Sequence, residues 1–162
     1  MKIRFHNPED GMALYAGGMP HIPVKRLHPD AKLPKYAHTG PFGDLAADLY
    51  SVEAVDVLPH KTVLVPTGLA MAFPAEYGAL VEDRSGLAVK GITTLAGVID
   101  PGYRGEIKVV LINVTDAPIA LAAGDRVAQL RIVRKIEAEF EEVEDLDATH
   151  RGEGGFGSTG YN

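Results

Sequence analysis

A glycine-rich segment near the end of the chain, residues 151–160, reads Arg-Gly-Glu-Gly-Gly-Phe-Gly-Ser-Thr-Gly. Backbone without bulky side chains can wrap a phosphate group with N–H donors, and Arg151 adds a charge-assisted contact. Ser158 and Thr159 supply further hydroxyl donors, and Phe156 can stack on a base, which is worth about 1–3 kcal/mol. Many glycine-rich termini are only low-complexity tails, but one arginine, one phenylalanine and a Ser-Thr pair favour nucleotide binding.

A second candidate phosphate grip lies at residues 83–88, which read Asp-Arg-Ser-Gly-Leu-Ala. Arg84 brings positive charge, Ser85 brings a hydroxyl, and Gly86 allows a ligand to approach the backbone closely. An Arg-Ser-Gly sequence in a turn is usually no more than a turn, so this segment alone is a weak indication.

Asp100 ends an apolar run and is followed by Pro-Gly-Tyr. A carboxylate at a junction between a strand and a turn can be held rigidly near water, as a general base requires. Tyr103 can present a flat ring to a sugar. The alternative for Asp100 is a side-chain cap of its own turn, which is common for Asp before Pro-Gly.

Gln129 lies among Val127, Ala128 and Leu130, where a polar amide needs a hydrogen-bond partner. It makes either a structural hydrogen bond or a ligand contact, and Asp48 is equally ambiguous. The six histidines show no metal-ligand spacing. Mg²⁺ needs no such cluster, because substrate phosphates can supply most of its ligands.

The composition limits the classes to which the protein can belong. A chain of 162 residues with 46% hydrophobic residues suits one globular domain. The net charge of −6 argues against a protein that coats nucleic acid. The chain has no cysteine and no run of about 20 apolar residues. We therefore expect an intracellular, cytoplasmic protein with no nucleic-acid or membrane partner.

Short β-branched runs between Gly and Pro residues predict an all-β fold, an antiparallel barrel or sandwich of jelly-roll type. Residues 85–88 could form a short helical turn, and alternating apolar residues at 136–143 predict a strand that leads to the tail. The predicted strands are Ile22–Leu27, Val63–Val65, Leu69–Phe73, Ile107–Ile112, Ile119–Leu121 and Val127–Val133.

Three regions follow from this pattern. Residues 1–21 form an N-terminal extension of extended chain or loop, and residues 22–147 form the β domain. Residues 148–162 form a glycine-rich C-terminal arm, which we expect to be mobile until a ligand orders it.

The five segments around Asp48, Arg84, Asp100, Gln129 and the glycine-rich tail resemble, in this order, the five motifs of the trimeric dUTPase family. The resemblance runs from about Ile22 to Gly160. Three positions depart from the family pattern. Ala46 stands where a glycine is usual, Asp83 where a proline is usual, and Gly102 where a second acid is frequent.

The resemblance implies a jelly-roll subunit in a homotrimer, with active sites at subunit interfaces and the C-terminal arm crossing to a neighbour. It implies hydrolysis of dUTP to dUMP and pyrophosphate with Mg²⁺, which removes dUTP from the nucleotide pool and supplies dUMP for dTMP synthesis. Asp100 would deprotonate the attacking water, Gln129 would hold the water or an α-phosphate oxygen, and Asp48 would touch the metal through water.

The resemblance also implies how the substrate is bound and selected. A hairpin around Thr94–Ile99 would read the uracil edge with backbone groups, Tyr103 would exclude a 2′-hydroxyl, and Phe156 would cover the base. The substrate-binding set is Arg84, Ser85, Gly86, Thr94, Gly97, Ile99, Tyr103, Arg151, Phe156, Gly157, Ser158 and Thr159.

Three other functions fit parts of the pattern. The related dCTP deaminases, some of them bifunctional, share the Asp-Pro-Gly-Tyr sequence, but they carry a Glu at the position of Val110. A regulatory binding role could be added to the enzyme. An inactive structural β domain would not need Asp100, Gln129, Tyr103 and the complete tail motif.

Overall fold

The computed structural model describes residues 19–150 and 152. Within these residues the chain forms short antiparallel strands and one helical turn, α1 (Ser85–Ala88), where the sequence predicted it. Arg151, Phe156, Gly157, Ser158 and Thr159 lie outside the described residues. The strands are β1 (Val24–Arg26), β2 (Ala47–Tyr50), β3 (Val55–Val57), β4 (Thr62–Met71), β5 (Tyr77–Glu82), β6 (Ile92–Leu95), β7 (Val98–Ile99), β8 (Glu106–Asn113), β9 (Ile119–Leu121) and β10 (Arg126–Arg134).

The described strands make two four-stranded sheets and one two-stranded pair. The first sheet has the order β1-β4-β8-β6, the second has the order β2-β10-β5-β7, and β3 pairs with β9. Buried side chains of both large sheets form one apolar core, so the sheets face each other as a sandwich. The predicted all-β, jelly-roll class is confirmed.

The central strand β8 shows the alternation of buried and outward-facing side chains that is typical of a β-strand. In β8, Ile107, Val109 and Leu111 are fully buried, while the residues between them face outward. β8 and β10 are each one residue longer at both ends than predicted, and β9 has the predicted bounds. No helix in the described part of the chain is long and apolar enough to cross a membrane.

The two predicted strands at 63–65 and 69–73 are one strand, β4, interrupted by an irregularity. The register with β8 shifts between Pro66 and Ala70, and Gly68 has a φ of +66°. Thr67 donates its hydroxyl to the Ile107 carbonyl, and the Gly68 N–H donates to Glu106. A bulge tolerates a proline that a regular ladder would not, because the chain there needs no N–H donor.

Asn113, at the end of β8, is fully buried and has all its polar groups paired. Its amide N–H groups donate to the carbonyls of Val57 and Ala117, at 2.9 and 2.7 Å. Its oxygen accepts from the N–H and hydroxyl of Thr115. This side chain therefore joins β3, β8 and the loop before β9.

The predicted strand at residues 136–143 is wrong. These residues pair with no described strand, and Ile136 and Phe140 are 87% and 94% exposed.

The predicted hairpin at 94–99 also differs from the structure, because β6 pairs with β8 while β7 pairs with β5. A turn at Ala96 and Gly97, both with positive φ, sends the chain from one sheet to the other.

Candidate active site

Asp48 lies between two guanidinium groups on the second sheet. Its Oδ1 accepts from Arg84 Nε at 3.0 Å, and its Oδ2 accepts from Arg126 Nη1 at 3.3 Å. Arg84 also donates to the Arg126 backbone carbonyl. The Asp48 side chain is 14% exposed, whereas Arg84 and Arg126 are 23% and 50% exposed. We call Asp48, Arg84 and Arg126 the arginine cluster; it has a net positive charge and can bind an anion.

A bulge in β10 sets the geometry of the arginine cluster. Arg126 pairs with Tyr50, but Ala128 pairs with the next residue, Leu49, so that Val127 is extra. Val127 and Ala128 are consequently both buried, and the strand resumes its alternation with Gln129 on the outer face. The register then places Gln129 directly beside Asp48.

Gln129 has the partner that its surroundings require. Its Nε2 donates to the Asp83 carbonyl at 2.9 Å. No other described residue bonds to its amide oxygen or its second N–H, so both can bind a ligand. On the other side of Gln129 lies Glu82, whose carboxylate forms a two-bond ion pair with Arg131. The hydrogen bond from Arg131 lowers the pKa of Glu82, so this carboxylate is ionised at neutral pH.

Asp83 connects the end of β5 with β6. Its Oδ1 accepts from the Thr94 N–H at 2.5 Å and from the Thr94 hydroxyl at 2.7 Å, and its Oδ2 accepts from the Thr93 hydroxyl at 2.7 Å. Burial by itself would raise the pKa of Asp83, but the hydrogen bonds from Thr94 and Thr93 outweigh it and lower the pKa. The N–H of Thr94, a predicted base contact, is thus already bonded within the chain.

Asp100 is exposed at the first position of a turn in which the Tyr103 N–H donates to the Asp100 carbonyl. Arg104 fixes this turn by donating to the carbonyls of Pro101 and Tyr103. The Asp100 side chain does not cap the turn, since no hydrogen bond to its carboxylate is formed by any described residue. The carboxylate is therefore held on a fixed backbone and faces water, as a general base requires.

The ring of Tyr103 is held beside this turn. Its hydroxyl donates to the Glu106 carbonyl at 2.9 Å. A Cβ at Gly105 would lie 2.5 Å from the Tyr103 hydroxyl oxygen, so a side chain there would displace the Tyr103 ring. Gly97 is the position that requires glycine: its φ is +103°, and a Cβ would lie 2.5 Å from the Val81 backbone carbonyl oxygen.

Asp100 and Tyr103 line a cleft of about 480 Å³, large enough for a small ligand. We call it the Asp100 cleft; its other walls include Leu64, Val98, Ile99 and Lys108. A larger groove of about 770 Å³ lies between the sheets near Met19, Tyr36 and Arg134 and is mainly apolar. That groove contains no predicted site residue. The Asp100 cleft, which contains three of them, is therefore the better candidate for the active site.

Eight of the ten predicted site residues in the described chain fall into two groups, and the other two, Thr94 and Gly97, bond to Asp83 and Val81. Asp48, Arg84 and Gln129 come together, with the exposed Ser85 and Gly86 next to Arg84. Ile99, Asp100 and Tyr103 form the other group. Among the residues that the structure describes, no hydrogen bond or ion pair joins the arginine cluster to the Asp100 cleft.

Sequence reasoning assigned no role to Arg126 or Asp83. Arg126 belongs to the Gly-Asp-Arg-Val-Ala-Gln segment, and its position two residues after the Gly124 turn was the available signal. The contacts of Asp83 had no local signal, because Thr93 and Thr94 lie ten and eleven residues further along.

The side chains of the arginine cluster fit one mode of metal binding. No group of three or more His, Asp or Glu side chains converges in the described part of the chain. Asp48 is a lone carboxylate whose oxygens each accept one bond from an arginine. Mg²⁺ commonly keeps several waters and is held by one or two carboxylates plus substrate phosphates. The donor set fits a cation carried by a triphosphate and contacted by Asp48 through water.

An all-β sandwich with an arginine cluster and an exposed carboxylate beside an aromatic ring is the kind of β protein that can bind phosphate groups and exchange protons with water. More specifically, the dUTPase family model matches residues 34–160, and the chain belongs to the dUTPase family. The family predicted from the five motifs is thereby confirmed.

Named relatives agree with this assignment. The deoxyuridine 5′-triphosphate nucleotidohydrolase of Thermobifida fusca is 48% identical, over 88% of this chain and 80% of that protein. The enzyme of the same name from a Picosynechococcus species is 43% identical, over 86% and 99%. A solved Staphylococcus bacteriophage 80alpha dUTPase mutant with dUpNHpp has a TM-score of 0.78 and 27% identity, covering 86% of this chain and 98% of its own.

Proposed function

We propose that this chain is a dUTP diphosphatase, which hydrolyses dUTP to dUMP and pyrophosphate. The family match and the names of the relatives support the reaction. The observation that supports the mechanism is the exposed Asp100 carboxylate. It lies beside Tyr103, on a turn that hydrogen bonds from the Tyr103 N–H and from Arg104 hold in place. We also propose that the enzyme acts in the cytoplasm, which a chain without cysteine suits.

In the proposed reaction Asp100 accepts a proton from a water molecule while the water oxygen attacks the α-phosphorus. The bond from the α-phosphorus to the bridging oxygen breaks, and pyrophosphate leaves. General base catalysis of this kind typically accelerates a reaction about 10²–10⁴-fold. Gln129 would orient the water or an α-phosphate oxygen with the groups that its bond to Asp83 leaves available.

Arg84 would bind the phosphates, with Ser85 and Gly86 contributing a hydroxyl and an unobstructed backbone approach. Their exposure beside the arginine cluster supports this role. Arg126 would add a second guanidinium, which sequence reasoning did not include. Arg151, Ser158 and Thr159 of the tail would bind the γ end, and Gly157 would allow the tail to approach the nucleotide closely.

Mg²⁺, when bound to the triphosphate, would neutralise its negative charge and fix its conformation. Asp48 would hold one of the metal-bound waters. Because Arg84 and Arg126 already compensate the Asp48 charge, a contact through water suits this carboxylate better than direct ligation.

Base and sugar selection would rest on the chain between β6 and the Asp100 turn. Backbone groups around Gly97 and Ile99, and the Thr94 carbonyl, would read the uracil edge. Cytosine exchanges a donor for an acceptor and would leave buried groups unpaired. Tyr103, held by Glu106 and by the absence of a side chain at Gly105, would exclude a 2′-hydroxyl. Phe156 would cover the base.

The separation of the arginine cluster from the Asp100 cleft supports a homotrimer in which one site uses both, from different subunits. The exposed apolar residues at 136–146, which lead to the C-terminal arm, support packing of this segment on a neighbour; Ile136, Phe140 and Leu146 are 87%, 94% and 86% exposed. Such a trimer buries a surface that a monomer leaves in water.

Mixed trimers test the shared site. Asp100→Asn and Arg84→Ala subunits are each inactive by this proposal, and they are mixed by unfolding and refolding together. Sites that combine the intact Asp100 of one subunit with the intact Arg84 of its neighbour should make up about a quarter of the total and restore activity. If the mixture is as inactive as its components, the two groups act within one subunit.

The reaction itself is tested by pyrophosphate release from dUTP, dCTP, dTTP and UTP, with and without Mg²⁺. We expect dUTP to be turned over far faster than the other three nucleotides, and only with the metal. Asp100→Asn should lower kcat by at least about 10² and leave the affinity for dUpNHpp nearly unchanged. An equal loss of affinity would show that Asp100 is structural.

Deletion of residues 151–162 tests the tail. We expect the truncated protein to keep its fold, because the buried core of the described chain is formed by residues between Ala31 and Leu130, and to lose most of its activity. An unchanged rate would remove the tail from the mechanism.

Deamination is not favoured, because Val110 of β8 stands where the deaminases carry their catalytic Glu. Release of ammonia from dCTP would nevertheless reverse this choice.

A further inference from the structure

Asp83 stands where the family pattern usually has proline, and it makes contacts that a proline cannot. Its two carboxylate oxygens accept three hydrogen bonds from Thr93 and Thr94, at 2.5–2.7 Å. The residue is half-buried, and these bonds keep the pKa of the carboxyl below its ordinary value despite burial. The carboxylate is thus ionised at neutral pH and faces β6.

The backbone of Asp83 faces the catalytic groups. Its carbonyl accepts the Gln129 amide at 2.9 Å, and the next residue, Arg84, is bonded to Asp48. Asp83 therefore contacts Gln129 through its carbonyl, directly precedes Arg84 in the chain, and binds β6 through its side chain.

The β6 contact matters because β6 is an edge strand at this point. Its described partner is β8 on one side, and Asp83 binds the Thr94 N–H on the other. Three residues after Thr94, the Gly97 carbonyl accepts the Val81 N–H at 2.8 Å. Val81, near the end of β5, and Asp83, directly after β5, therefore fix the middle and the start of the proposed base-reading segment.

We propose that Asp83 is a positioning residue that sets the base-reading segment Thr94–Ile99 against the Arg84 turn and Gln129. This inference rests on the proposed function, since it assigns the segment to uracil and the turn to phosphates. In this role Asp83 contacts neither the reacting atoms nor the substrate. It determines where the backbone groups that discriminate bases lie, and so its loss should act on binding and selectivity more than on the chemical step.

The test compares Asp83→Ala, Asp83→Asn and Thr94→Val in the full-length chain. The alanine variant removes all three bonds. The asparagine variant keeps an acceptor for the Thr94 N–H, and the valine variant removes only the Thr94 hydroxyl. Asp116→Ala is a matched control, because Asp116 is a surface aspartate that bonds His60 outside both site groups. Steady-state kinetics on dUTP and dTTP, dUpNHpp titration and thermal unfolding are measured for each.

We expect Asp83→Ala to raise the KM for dUTP about tenfold or more, with kcat changed by less than about threefold. The ratio of kcat/KM for dUTP to kcat/KM for dTTP should fall by a similar factor, and dUpNHpp should bind correspondingly more weakly. Asp83→Asn and Thr94→Val should show smaller changes in the same direction. The control should match the wild type.

An unchanged KM and preference in Asp83→Ala would overturn the inference, and so would a fall in kcat that is uniform across nucleotides and follows the loss of thermal stability. If Asp83→Ala does not fold, the asparagine and valine variants decide by the same criteria. Failure of the wild type to release pyrophosphate from dUTP would instead overturn the proposed function, and dUpNHpp binding to the variants would still report on the positioning.

Discussion

The arginine cluster makes a quantitative prediction for Asp48→Asn, a change that removes one charge and almost no volume. The carboxylate accepts from Arg84 at 3.0 Å and from Arg126 at 3.3 Å while it is 14% exposed. A hydrogen bond to a charged partner contributes about 1.5–3 kcal/mol when it is shielded. The bond to the half-exposed Arg126 adds about 0–1 kcal/mol.

Asparagine can still accept one bond from Arg84, which recovers part of this energy. Two guanidinium groups then lie together without a counter-charge, which costs a similar amount. We therefore expect the free energy of unfolding to fall by about 2 kcal/mol, which corresponds to about 4–8 °C in Tm for a domain of this size.

The assay is urea unfolding of wild type and variant at one fixed subunit concentration, since an oligomer's stability depends on concentration. A double-mutant cycle with Arg84→Met separates this pair from the rest of the cluster. In parallel, the Mg²⁺ concentration for half-maximal activity should rise, because Asp48 would no longer hold a metal-bound water. A stability change below about 0.5 kcal/mol would refute the energetic reasoning.

Three further predictions concern other parts of the molecule. Asn113→Leu should lower the free energy of unfolding by about 2–4 kcal/mol, because it leaves the buried Val57 carbonyl without a donor and removes the acceptor of the Thr115 N–H; thermal unfolding measures it, and a change below about 0.5 kcal/mol would contradict it. Gly105→Ala should displace the Tyr103 ring and narrow the preference for dUTP over UTP, which competing-substrate kinetics would detect. Glu82→Gln should cost less than about 1 kcal/mol at neutral pH, because the pair with Arg131 is partly exposed. The pKa of Glu82 is lowered from 4.5, so this difference should persist above that pH and disappear as the pH falls through the lowered pKa; a difference that grows in acid would contradict the pairing.

The sequence predicted those strands that carry a strong local pattern. Ile107–Ile112 and Val127–Val133 alternate or run apolar between turn residues, and both are central strands. Short strands with mixed side chains, such as β2 and β3, have no such pattern, and their pairing with distant strands stabilises them. The apolar alternation at 136–143 has the period of a strand but finds no partner in the described chain.

The sequence by itself determined which functional residues are present. It contains the five motifs, indicates their family and shows which residues can bind phosphate or activate water. Residue type and local spacing suffice for that, because each motif is a continuous segment. The tertiary structure alone decided which segments meet. Asp48 reaches Arg126 across 78 residues through the β2–β10 register and one extra residue in β10. The separation of Asp100 from that cluster also follows from long-range strand pairing, which a local pattern does not encode.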